Sequence, residues 1–188
     1  EIGSDAASDA ALKGLGKGFC FKDGLECTEL LGRHGIAAAH YFMFGCPGET
    51  PELVLEGIEN IKQLEKAAVF VFMGIRILPG TALVKIARRD GLISDDDKDL
   101  LEPAYYISPA LDRKWLEQTL TEALGPLDNC AFPPDAVDHK LDYLHRLGYE
   151  GPLWDLLLKE RERKLKRRSR LKLSPKTTSP TQRTKAHD

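Results

Sequence analysis

The sequence predicts an α/β fold built on a parallel sheet, and three observations carry that reading. Two runs, Ile36 to Phe44 and Ala67 to Ile77, are continuously apolar rather than alternating, as strands covered on both faces are. Each run ends in a Pro-Gly-Thr or Pro-Gly-Glu-Thr turn and is followed by an amphipathic stretch. A third unit of the same kind precedes them, so strand-then-helix repeats in succession, the pattern of a parallel sheet with outer helices.

Taken in order, Glu1 to Ser4 reads as the end of a strand, and Ser8-Asp9 caps a short helix stopped by Gly16 and Gly18. A helix from about Asp23 to His34 stops at Gly35, and the first apolar run follows. Thr50 is a good N-cap and Pro51 a good first helical residue; Val54, Ile58, Ile61 and Leu64 then form one apolar stripe ending near Lys66. The second apolar run leads through Pro79-Gly80-Thr81 into a helix from Leu83 to Arg89, closed by Gly91. Three strands cannot close a barrel, but they suffice for about half of one or for the edge of an open sheet, and the opening inside an element favours the half-barrel.

Residues 1–93 are therefore expected to hold three strand-helix units. Residues 94–158 read as a helical extension, with an acidic loop at Asp95-Asp96-Asp97, helices over Asp112–Leu124 and Asp135–Leu147, and a last helix starting at Gly151-Pro152. Residues 159–188 carry 12 Lys/Arg against 3 Asp/Glu, a net of +9, which leaves 15 against 26, a net of -11, on residues 1–158. An acidic body with a basic, disordered tail is the expectation. The tail has no aromatics interleaved with its cations, so nucleic acid is a disfavoured partner.

No run of 18 apolar residues spans a membrane and no leader is visible, so a cytoplasmic protein with free thiols is expected. The opening Glu1-Ile2-Gly3 has the look of an element's interior, and the chain is read as a fragment. Cys20, Cys27, Cys46 and Cys130 form no C-x-x-C pair, so no metal site is assigned. The turn Gly45-Cys46-Pro47-Gly48-Glu49-Thr50 opens a helix at a strand's carboxyl end, where free backbone N–H groups attract polar ligands. Arg76, Leu78, Pro79 and Gly80 repeat that logic one unit later, and Arg76 in an apolar strand needs a partner or a polar cavity.

These residues carry a resemblance. The series Glu1-Ile2-Gly3-Ser4-Asp5, Leu12-Lys13 with Lys17, His34-Gly35-Ile36, Phe44-Gly45-Cys46-Pro47-Gly48-Glu49-Thr50 and Ile77-Leu78-Pro79-Gly80-Thr81 resembles the second half of a radical S-adenosylmethionine (SAM) domain. It is most similar to members with an upstream cobalamin-binding domain that act on lipid-like molecules. The resemblance extends over residues 1–155 and implies the C-terminal half of a partial (β/α)6 barrel. It implies that Gly45, Pro47, Gly48, Glu49 and Thr50 lie against bound SAM. It places Glu1, Ser4 and Asp5 toward the ribose and methionyl part, and the backbone of Ile77, Leu78, Pro79 and Gly80 near the adenine.

The family's four-iron four-sulfur cluster hangs on a C-x-x-x-C-x-x-C loop that this chain lacks, so the chain alone is expected to be inactive. The implied partners are the missing N-terminal half of the same barrel, which would bring the cluster and, further upstream, cobalamin, and a small or lipid-like substrate. Two other readings stay open, a non-catalytic remnant that keeps the ligand-facing loops and an RNA-modifying relative.

Overall fold

The computed structural model describes residues 1–94, 100, 102–133 and 135–150, and then 154–156, 158, 159, 161–164 and 166. Asp95-Asp96-Asp97, Gly151-Pro152 and most of the basic tail lie outside the described residues. The elements are β1 (Ile2–Asp5), α1 (Asp9–Gly14), α2 (Phe21–Arg33), β2 (Ala38–Phe44), α3 (Pro51–Lys62), β3 (Ala67–Met73), β4 (Ile75–Arg76), α4 (Ala82–Arg89), β5 (Tyr105–Tyr106), α5 (Arg113–Leu124), β6 (Cys130–Ala131) and α6 (Asp135–Arg146).

Four strands form one parallel sheet in the order β1-β2-β3-β6. β2 and β3 run in register from Ala38 opposite Ala67 to Phe44 opposite Met73, while the β1 ladder is irregular between Ile2 and Asp5. This is the α/β half-barrel architecture expected. The long second apolar run is divided by Gly74, whose φ of 84° is left-handed and where a Cβ would come 3.2 Å from Tyr105 Cβ. Beyond Gly74 the chain leaves the sheet as β4 and pairs antiparallel with β5.

The extension is not wholly helical. It supplies β5 and also β6, a parallel strand that Asn129 fixes by donating from Nδ2 to the carbonyls of Leu64 and Ala67 at 2.9 and 2.8 Å. Such two-residue strands carry no periodicity that a sequence could display. The described residues among 155–166 are helical; Arg161 pairs with Glu65 and Lys164 with Asp128, at 3.9 and 2.5 Å.

Strand parity sorts the two sheet faces. On one, Phe42, Phe44, Val69 and Val71 pack with Phe21 of α2, Val54, Ile58 and Ile61 of α3, and Leu116, Leu120 and Leu124 of α5, all buried. α3 approaches so closely that a Cβ on Gly57 would lie 3.0 Å from the Phe44 ring and 3.2 Å from Ala7 Cβ. On the other face the rings of Tyr41 and Phe70 stack at 5.1 Å, Tyr41 lies 6.5 Å from Phe72, and Phe72 is 38% exposed. No helix among the described residues is long and apolar enough to cross a membrane.

Candidate functional site

A cleft of about 660 Å³ lies on the open sheet face and at the carboxyl ends of the strands. Its walls are Asp5 of β1, Tyr41 and Met43 of β2, Phe72 and Met73 of β3, Gly74 and Arg76, Tyr105 of β5, and Glu117, Phe132, Pro133 and Asp135 from the extension. Three carboxylates and one guanidinium line it, so the local field favours cations, while the aromatic faces favour a flat or cationic group.

The expected site residues divide by where their side chains go. Asp5 and Arg76 line the cleft, and the Glu1 carboxylate acts on Tyr41 of the same face. Burial and this charge raise the Tyr41 pKa. Pro79 and Gly80 line a second, smaller hollow of about 370 Å³ with Thr81, Val84, Lys85, Arg88 and Leu100, while Leu78 is 46% exposed.

Ser4 turns the other way. Its hydroxyl lies 2.6 Å from Nδ1 of His40, whose Nε2 lies 2.6 Å from Oγ1 of Thr28 in α2. The Thr28 hydroxyl donates to the carbonyl of Gly24 at 2.8 Å, so it accepts from Nε2–H of His40. Nδ1 is then bare and accepts from Ser4. The imidazole is 1% exposed and stacked on Phe42, and burial lowers its pKa to about 4.

The turn after β2 is closed on itself. Gly45 and Gly48 hold φ of 101° and 77°, values that favour glycine, and a Cβ on Gly45 would come 3.3 Å from Ile107 Cα. Sequence reasoning expects the turn's N–H groups to face a ligand. Instead the buried Glu49 carboxylate accepts from Gly45 N–H at 2.5 Å and Cys46 N–H at 2.9 Å. Burial raises the pKa of this carboxyl, against the pull of those two donors. Pro47 and Thr50 are half-buried and Gly48 exposed, so these three form the turn's accessible surface.

Cys46 is fully buried, and burial with the nearby Glu49 and Asp5 charges raises its thiol well above the ordinary value. Burial pushes Cys130 up to about 12. Cys20 precedes α2, and Cys27 is exposed on it. The four thiols therefore occupy separate environments, and among the described residues no group of three or more His, Cys, Asp or Glu could hold a metal ion. An iron-sulfur cluster does not fit this chain's own donor set.

Sequence reasoning missed Tyr41, Met43, Phe72, Tyr105, Glu117, Phe132 and Asp135. Both faces of β2 and β3 are apolar, so alternation gives no sign of which residues face the cleft. Glu117 and Asp135 reach it only because β6 folds back beside β3.

Solved structures share this fold, among them two of one enzyme. One is the radical S-adenosylmethionine methyltransferase TsrM from Kitasatospora setae with cobalamin and a [4Fe-4S] cluster bound. It has 23% sequence identity and a TM-score of 0.65, over 90% of this chain and 39% of that one. The other is the same methyltransferase with tryptophan substrate and the SAM analog aza-SAM, at 21% identity and a TM-score of 0.64, over 90% of this chain and 41% of that one. The chain thus spans about two fifths of the length of those structures. No protein-family model matches the chain, and no curated protein does. At this identity the likeness is one of fold, and function rests on the site.

Proposed function

We propose that this chain is the carboxyl-terminal, nucleoside-facing half of a radical SAM-type barrel whose parent transfers a methyl group to, or rearranges, a small organic or lipid-like substrate. The observation that carries the reading is the cleft at the carboxyl edge of a parallel half-barrel, where ligands of such sheets bind. Its chemistry suits S-adenosylmethionine. Tyr41, Phe72 and Tyr105 offer faces for a planar base, Asp5 an acceptor for hydroxyl or ammonium groups, and the excess of carboxylates a favourable field for a sulfonium.

When bound, S-adenosylmethionine supplies an activated methyl group or, after one-electron reduction, an adenosyl radical. The residues of this chain hold and orient such a ligand. The thiolates for an iron-sulfur cluster would come from the other half of the barrel, and any cobalamin site from a domain further upstream. The shared fold with TsrM, a methyltransferase whose structure holds both groups, supports this division of labour.

Anaerobic reconstitution of the purified chain with iron and sulfide tests the reading. Iron should remain far below four per chain, with no charge-transfer absorbance. A stoichiometric four-iron cluster on this chain would refute the half-barrel assignment.

A further inference from the structure

The end of β1 carries an unusual piece of backbone. The Ala6 N–H donates to the Ser4 carbonyl at 2.7 Å, closing a three-residue turn around Asp5. Asp5 has φ of 61° and is the sole non-glycine at positive φ among the described residues. A γ-turn with a positive central φ is the rare and strained form. The same residues fall where the β1 ladder slips against β2, between Ile2 opposite His40 and Asp5 opposite Phe42. Irregularities of this kind re-aim a side chain. Here consecutive residues part company, with Ser4 going to the helix layer and Asp5 to the cleft.

Strain persists only where the surroundings over-determine it. On the upstream side, Ser4 is tied through His40 and Thr28 to the Gly24 carbonyl, a chain of two buried hydrogen bonds and one part-buried one linking β1, β2 and α2. Downstream, Ala6 and Ala7 are 1% and 3% exposed and Ser8 caps α1 through the Ala11 N–H. The Asp5 carboxylate itself pairs with Lys17.

We propose that His40 is a positioning residue: through Ser4 it pins the strained Asp5 turn, and so holds the Asp5 carboxylate at the cleft wall. This rests on the nucleoside-site reading only for what Asp5 would touch, and the conformational claim is independent of it. A buried imidazole between two hydroxyls suits the task because it accepts on one nitrogen and donates on the other without carrying charge.

The test uses the isotope-labelled full chain and the variants Ser4→Ala, His40→Gln and Ser4→Thr. Cross-correlated relaxation reports the sign of Asp5 φ, and hydrogen exchange reports the Ala6 amide. In the wild type, Asp5 is expected at positive φ with Ala6 protected. In Ser4→Ala, Asp5 should move toward negative φ and the Ala6 amide should exchange about tenfold faster, with Val69 and Val71 in β3 unchanged. Ser4→Thr, which keeps the hydroxyl, should restore the wild-type signature.

If Asp5 keeps positive φ and Ala6 its protection in both Ser4→Ala and His40→Gln, the proposal is overturned. It is equally overturned if Ala6 protection falls only together with that of β3, because the network would then be a general stabiliser. Failure of the wild type to bind S-adenosylhomocysteine would count against the proposed function and would leave this conformational result as it is.

Discussion

Glu49 and His40 bracket what burial does to a titratable side chain in this protein. Glu49→Ala leaves the N–H groups of Gly45 and Cys46 without their partner and should lower stability by about 2–3 kcal/mol in urea denaturation. Glu49→Gln keeps an acceptor oxygen and should lose less. Because the folded pKa of Glu49 lies above its ordinary 4.5, its contribution is fully present below that pH and declines as pH rises through the folded value. The Gln variant should therefore gain on the wild type between acid and neutral pH. His40 has the opposite sign. Its folded pKa of about 4 lies below 6.5, so stability is intact above 6.5 and is lost as pH falls toward 4. The total is about 3 kcal/mol, and His40→Gln should remove that part of the slope.

At the scale of elements, Gly57 shows how packing overrides propensity. Alanine in mid-helix is ordinarily favourable by about 1 kcal/mol, but here its Cβ would meet a buried ring and a buried methyl. Gly57→Ala should cost about 1 kcal/mol net, read from the denaturation midpoint, and a gain in stability would show that Phe44 can yield. The same competition explains what the sequence could reveal. Caps, stops and apolar runs gave β1 to β3 and α1 to α5 to within a few residues, because those signals are local. The break at Gly74 and the strands β5 and β6 depend on partners 31 to 61 residues away, Tyr106 for Ile75 and Cys130 for Val69, and no local signal marks them. Thr50, expected as a side-chain cap for α3, begins the helix but makes no side-chain cap bond.

For the whole molecule, the sequence directs attention to the carboxyl edge of the sheet, where the cleft lies, and to turn N–H groups that Glu49 instead occupies. Parallel topology places ligands at carboxyl ends of strands, so Asp5 and Arg76 were accessible to reasoning from order alone. The cleft's aromatic wall was not, since apolar residues on a doubly covered strand and on an exposed concave face read alike. Nor was the self-satisfied turn, because a Glu three residues past a cysteine does not announce that its carboxylate folds back. The acidic lining agrees with the net of -11 on residues 1–158, and the described basic residues Arg161 and Lys164 meet acids of that body.

The central claim is that this cleft takes an adenosyl sulfonium ligand, and a nitrogen-15 NMR titration of the chain with S-adenosylhomocysteine, the neutral-sulfur stand-in, tests it most directly. Saturable shifts should appear at Asp5, Ala6, Tyr41, Phe72 and Gly74 around the cleft, with smaller ones at Gly48 and Thr50. Absence of shifts at millimolar ligand, or shifts confined to α2 and α4 away from it, would contradict the account.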